Sequence, residues 1–195
     1  MADYTTPTPC DLADITAASD CGESLAGIPT RLYVGFKDDL VARPRLKRPG
    51  GGSGDFAFGD YSYIEETPGF EFKTGKHFHV WDIRTDSGQF TTSLIAQKKG
   101  YTQSLTLGFE IMTPFISSLM RMLGNRKDVF FLIPEGDEYI AFYDPDRDFI
   151  IDSGGIAYDS GTTADSDSGT TVTMSLNTLP PKTYYKGTVK TTPAA

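Results

Sequence analysis

Tyr101-Thr102-Gln103-Ser104-Leu105-Thr106-Leu107-Gly108-Phe109-Glu110-Ile111 is the stretch that decides the fold class. Its odd positions are Tyr101, Gln103, Leu105, Leu107, Phe109 and Ile111, while its even positions are Thr102, Ser104, Thr106, Gly108 and Glu110. One side is apolar and the other small and polar, which is the period-two signature of a half-buried strand. A second stretch, 170–178, repeats the pattern, with Val172, Met174 and Leu176 alternating with Thr171, Thr173, Ser175 and Asn177.

Outward from these two, strands are expected at 28–36, at 70–72 and 78–81 around a Thr74-Gly75 turn, and at 89–97, 129–133, 138–143 and 148–151. The strand at 89–97 should neighbour 101–111 through the turn Lys98-Lys99-Gly100. One helix interrupts the series. Thr113 suits its N-cap, Pro114 its first position and Gly124 the position just past its end. Phe115, Ile116, Leu119, Met120 and Leu123 form its apolar stripe. The expectation is a mainly β protein, a β-sandwich or barrel of about eight strands with one flanking α-helix. Phe115, Ile116, Leu119 and Leu123 should fasten the helix to one sheet.

Three segments fall outside that pattern. Residues 1–29 are rich in Thr, Pro and Ala and read as an N-terminal arm, and 181–195 as a Pro- and Thr-rich tail. Between them lies the sandwich domain, 30–180, carrying a long loop at 37–60. That loop holds Arg43-Pro44-Arg45-Leu46-Lys47-Arg48 and the run Gly50-Gly51-Gly52-Ser53-Gly54, so it is expected to stay flexible until a partner holds it.

The 195 residues carry a net charge of −8. Sequence-independent DNA binding needs a basic surface that displaces counterions from phosphate, and this balance argues against it. DNA that slides past without sticking is still permitted. No apolar run reaches the roughly 18 residues of a transmembrane helix. The amino terminus shows neither the basic nor the apolar segment of a secretory signal, and Cys10 and Cys21 are too few for a disulfide scaffold.

The search for chemistry is short. His77 and His79 share a face of a strand, as metal ligands would, but no third ligand follows at a diagnostic spacing. Asp144-Pro145-Asp146-Arg147-Asp148 begins like a calcium loop, yet Phe149 and Gly155 stand where an EF-hand needs Gly and Glu, so a turn is the better reading. The glycine run lacks the Gly-Lys-Ser/Thr of a phosphate loop. Two neighbouring histidines cannot be argued into a Ser-His-Asp set, and Glu65 and Glu66 point to opposite faces if extended. Charge, by contrast, is segregated along the chain. Residues 31–48 hold six basic and two acidic side chains, whereas 135–168 hold ten acidic and one basic. Opposite ends of opposite sign suit head-to-tail self-association.

A family resemblance rests on the order of these pieces. A Thr-rich strand (Gly88-Gln89-Phe90-Thr91-Thr92) precedes the strand from Gly100 to Leu107, then a helix and a Gly124-Asn125-Arg126-Lys127 turn. A hydrophobic hairpin follows, then an acidic loop rich in Gly, Asp, Ser and Thr that ends in the strand from Thr170 to Leu176 and Pro180. Over residues 87–188 this resembles the major tail tube proteins of long-tailed bacteriophages, especially those infecting Bacteroidetes. More loosely it resembles the tube proteins of contractile tails and type VI secretion. The arm with Cys21, Ser24, Gly27 and Ile28 precedes the first strand.

The resemblance implies a structural virion protein with no catalytic, cofactor or metal site. Six copies would form a ring whose inner strands join into one barrel around a lumen, and rings would stack into the tube that delivers the genome. The protein would reside in the virion tail after assembly in the host cytoplasm. Partners would be further copies, a tape measure protein, a tail terminator and distal tail or baseplate proteins. Double-stranded DNA would pass without specific binding, and no membrane would be involved. Thr102, Ser104, Thr106, Thr171, Thr173 and Asn177 suit a wet lumen wall. Arg43, Arg45, Lys47 and Arg48 would reach acids between Asp137 and Asp167 of an adjacent copy, aided by apolar Leu40, Leu46 and Phe56. Two other readings share the composition: a capsid decoration or head–tail connector protein, and a carbohydrate- or calcium-binding β-sandwich using Asp144, Asp146, Asp148 or Trp81.

Overall fold

Alternating apolar and polar residues can bury only one face of a sheet, so two such sheets must meet. In the computed structural model, which describes residues 27–48, 57–96, 99–110, 112–160 and 168–193, they do. The elements in chain order are β1 (Arg31–Phe36), β2 (His79–Asp82), β3 (Gln89–Leu94), β4 (Tyr101–Phe109), α1 (Pro114–Asn125), β5 (Val129–Glu135), β6 (Glu138–Phe142), β7 (Ile156–Asp159), β8 (Gly169–Thr178) and β9 (Tyr184–Tyr185). The first sheet has the order β2-β1-β5-β6-β9 and the second β3-β4-β8-β7, with every neighbour antiparallel. This is a mainly β sandwich with one helix. No described helix is long and apolar enough to cross a membrane.

Leu105, Leu107 and Phe109 of β4 and Val172, Met174 and Leu176 of β8 turn inward against Leu32, Val34, Phe131, Ile133 and Phe142 of the first sheet. Each fully buried side chain of this size stabilises the fold by about 1.5–3 kcal/mol. β5 differs from the alternating strands: Val129 to Ile133 are all buried, because both its faces are covered. Val129, Phe131 and Ile133 enter the sandwich, whereas Phe130 and Leu132 enter a second, aromatic core on the far side of the first sheet. There Phe70 stacks on Phe130 at 4.8 Å between ring centroids and meets Phe78, Tyr143 and Tyr185 edge-on. Gly35 lies beside this stack, and a Cβ there would come within 2.7 Å of the Phe130 ring.

The second core is covered by Ile64, Phe70, Phe72, Phe78 and Tyr185, and also by Leu40 and Leu46 of the loop expected to be flexible. That loop's described parts are pinned by their own chain. Lys37–Asp39 form a 3-10 turn, Leu40 bridges Phe72, and Leu46 bridges Ile64. Backbone bonds from Lys47 to Tyr63 and from Glu65 to Arg45, both 2.8 Å, continue the pairing. The glycine run and Phe56 lie outside the described residues. The tail read at 181–195 is also drawn in over its described part, 181–193. β9 pairs with β6, Thr183 and Tyr185 are buried, and the Phe78 amide donates to the Lys190 carbonyl at 3.0 Å. The segments 70–72 and 148–151 form single bridges rather than strands, Leu40 with Phe72 and Ile150 with Ser175.

α1 begins as expected, with the Thr113 hydroxyl accepting from the Ile116 amide at 3.2 Å, and runs one residue past Gly124. Met120 and Leu123 are buried and Ile116 and Leu119 pack against them. Phe115 is the exception, 74% exposed. At about 100° per residue it lies roughly 80–140° around the axis from Leu123 and Met120, on the flank of the stripe.

Candidate functional site

Because β4 and β8 put their apolar residues inward, their small polar residues must share the opposite face. The register joins them in rows: Thr102 beside Asn177, Ser104 beside Ser175, Thr106 beside Thr173 and Gly108 beside Thr171. β3 extends three of these rows, with Ser93 beside Thr102, Thr91 beside Ser104 and Gln89 beside Thr106. These three rows, from Ser93 to Asn177, from Thr91 to Ser175 and from Gln89 to Thr173, hold only hydroxyl and amide side chains. Some bond along their rows: the Thr102 hydroxyl donates to Asn177 Oδ1 at 2.8 Å, and the Thr106 and Thr173 hydroxyls lie 3.1 Å apart. Gly108 ends the polar ladder because Ser87 folds over it; a Cβ there would lie 2.5 Å from the Ser87 Cβ.

Thr102, Ser104, Thr106, Thr171, Thr173 and Asn177 therefore share one face of the second sheet, Thr171 and Asn177 exposed and the other four half-buried, and the contribution of Gln89, Thr91 and Ser93 is additional. Their signal was present in the alternation of Gln89, Thr91 and Ser93 with Phe90, Thr92 and Leu94, but Thr92 on the inner side blurs it. The sheet ends in two edge strands, β3 along the polar rows and β7 beside residues 169–172, while Gly155 and Ile150 hydrogen-bond to Thr173 and Ser175 where the rows end on β8. Leu94 on β3 is 67% exposed and Tyr158 on β7 is 52% exposed. The Ile95 amide donates to the Gly100 carbonyl at 3.1 Å. By the antiparallel alternation, the backbone groups of Phe90, Thr92 and Leu94 then point away from β4, where no described strand pairs with them.

The basic segment behaves otherwise than its sequence suggests. Arg43 pairs with Asp38 at 2.9 Å and donates to the Pro145 carbonyl at 3.1 Å. Arg45 holds Asp146 through two bonds of 3.0 Å, and Lys47 pairs with Glu66 at 2.8 Å. These partners belong to the same chain, and of the acids between Asp137 and Asp167 expected to be met on another copy, Asp146 is paired with Arg45 within the chain, while Arg43 and Lys47 pair with Asp38 and Glu66. The reason is topological: 43–46 lie against the turn at 144–146, which the sequence places about a hundred residues away. Beneath them Lys37, 2% exposed, donates to the Arg147 carbonyl and pairs with Asp148 at 3.0 Å. Leu40 is buried in the second core and Leu46 packs against it. Arg48 is exposed, borders a small cavity beside Leu179 and Pro180, and has no ion pair among the described residues.

The acids of the 144–148 turn are committed. Asp144 accepts from the amides of Asp146 and Arg147 at 3.0 and 2.9 Å, the turn geometry expected of an Asp-Pro sequence. No group of three His, Cys, Asp or Glu residues among the described residues is placed to hold a metal. Trp81 is half-buried and makes T-shaped ring contacts with Phe109 and Phe131. His77 and His79 do come together, with ring centroids 4.9 Å apart. Partial burial, and then the neighbouring His77, hold His79 below the usual histidine range.

At the other border of the first sheet, Glu138 accepts from the Tyr63 hydroxyl at 2.8 Å and pairs with Lys186 at 3.0 Å. Burial pushes the Glu138 carboxyl up, but the bonds from Lys186 and Tyr63 outweigh it and leave it below the usual carboxylate range. The described site thus contains a hydroxyl and amide face with open edges, and a set of ion pairs that fasten loops within one chain. The chain matches no protein-family model, no curated protein and no solved structure.

Proposed function

We propose that this chain is a structural virion protein, the subunit of a bacteriophage tail tube, in which six copies form each ring and rings stack head to tail. The observation that carries the reading is the outer face of the second sheet, where three rows of uncharged hydroxyl and amide side chains run from edge strand β3 across β4 to β8. Such a wall holds water and offers phosphate no cation, so duplex DNA slides along it without a counterion-release gain. Pairing the β3 edge of one copy with the β7 edge of the next continues the sheet around a ring and removes both edges. The net charge of −8 further disfavours DNA adhesion. Of Arg43, Arg45, Lys47 and Arg48, Arg48 alone lacks an ion pair among the described residues and is left for a neighbouring ring. A tape measure protein, a tail terminator and distal tail or baseplate proteins complete the partners on this reading, which calls for no catalytic group and no cofactor.

Negative-stain microscopy of the purified chain tests it. Tubes of uniform width are expected. Closed rings that never stack would instead favour a connector or decoration protein, and featureless particles at high protein concentration would overturn self-assembly altogether.

A further inference from the structure

Apart from the polar face, the described residues hold one pairing of chemically able side chains that no fold requirement explains. Immediately before and within edge strand β2, His77 and His79 lie on one side of the chain, while Phe78 between them points into the aromatic core and is 1% exposed. This alternation puts both imidazoles on the side of the strand away from that aromatic core, the side shared with Val34, with centroids 4.9 Å apart. His79 is exposed, and its Cα partner across β1 is Val34. His77 Nδ1 is enclosed with no hydrogen-bond partner, so Nε2 is the nitrogen this ring has to offer. Asp39 adds a nearby carboxylate, held by Lys76 at 3.2 Å, and both act electrostatically on His79.

We propose that His77 and His79 form a two-nitrogen chelate for a divalent transition-metal ion such as zinc. Imidazole nitrogens suit zinc, nickel and copper, whereas calcium and magnesium prefer oxygen. Two rings this close on one face can turn their nitrogens toward a single ion at the roughly 2.0–2.1 Å of a zinc–imidazole bond. Water fills the remaining positions, since no third ligand of the described residues joins the pair. The Asp39 carboxylate offsets the charge of Lys76 beside the site. His77 lacks the outer partner that normally orients a ligating ring, and loss of such support weakens metal binding by about 10–100-fold. The site is therefore one of modest affinity. It is independent of the tail tube reading, because it needs only the single chain.

Calorimetric titration of the full chain with zinc chloride tests the proposal, in a variant with Cys10 and Cys21 changed to Ser so that no thiol competes. One ion per chain is expected, with the ring resonances of both histidines shifting together in NMR spectra. His79→Asn should lower the affinity at least tenfold, as should His77→Asn. Because His77 is partly enclosed, circular dichroism checks the fold of its variant, and the exposed His79→Asn carries the test alone if that variant unfolds. A tenfold excess of calcium should leave zinc uptake unchanged. No uptake, affinity undiminished in His79→Asn, or displacement by calcium would each overturn the chelate.

Discussion

Lys37 shows how a single side chain joins distant parts of this sequence. Its ammonium is 2% exposed and binds Asp148 and the Arg147 carbonyl, more than a hundred residues away. Lys37→Met keeps the aliphatic stem but leaves those acceptors without a donor. Since Asp148 is 53% exposed and can turn to water, the cost should be about 1–3 kcal/mol, below that of breaking a fully buried pair. Urea unfolding monitored by fluorescence measures it. Glu138 makes a different prediction. Its folded carboxyl lies below the usual range, so its contribution is complete above the unfolded value and fades as pH falls through the folded one. Glu138→Gln should therefore flatten the loss of stability between about pH 5 and pH 3, read from thermal melts across that window.

At the scale of elements, α1 separates residues that hold it from residues that only look as if they do. Leu123→Ala should cost about 2–5 kcal/mol, because Leu123 is wholly buried, while Phe115→Ala should change stability by less than about 0.5 kcal/mol. Equal costs in denaturant melts would show that the helix sits differently. β3 carries the prediction for assembly. The Thr92 amide points away from β4, so proline there removes no bond of the described sheet and edge strands tolerate it. Thr92→Pro should leave a folded monomer, with only the exposed bond from the Thr92 hydroxyl to the Pro181 carbonyl lost, yet form no tubes. A variant that is folded and assembles normally would remove β3 from the ring seam.

For the whole molecule, the pairing of 43–47 with Asp38, Glu66 and Asp146 changes what charge is expected to do. Exposed pairs of this kind contribute about 0–1 kcal/mol each, so Arg43, Arg45 and Lys47 act on the monomer. Salt dependence of assembly should then reside in Arg48. Arg48→Ser is expected to slow tube growth at low salt and to weaken its dependence on salt, followed by light scattering, whereas Arg43→Ser should leave that dependence as it is. Light-scattering curves in which the two variants behave alike would return the whole basic segment to the interface.

Local alternation determined much of this protein before any contact was known. The period-two pattern of Thr102 to Phe109 and Thr171 to Leu176 fixes which side chains share a face, and Thr113-Pro114 starts the helix wherever it docks. Both signals live within a few residues, so they are legible in the chain alone. Tertiary structure decided what depends on residues far apart. The apolar run of β5 did not reveal its second cover, because the cover comes from 37–48, 57–78 and Tyr185. The segregated charges did not reveal their mutual pairing, because only folding brings Arg45 to Asp146. Phe115 belongs to the apolar stripe by period but not by packing, since a helix buries an arc set by the sheet beneath it rather than by its own sequence.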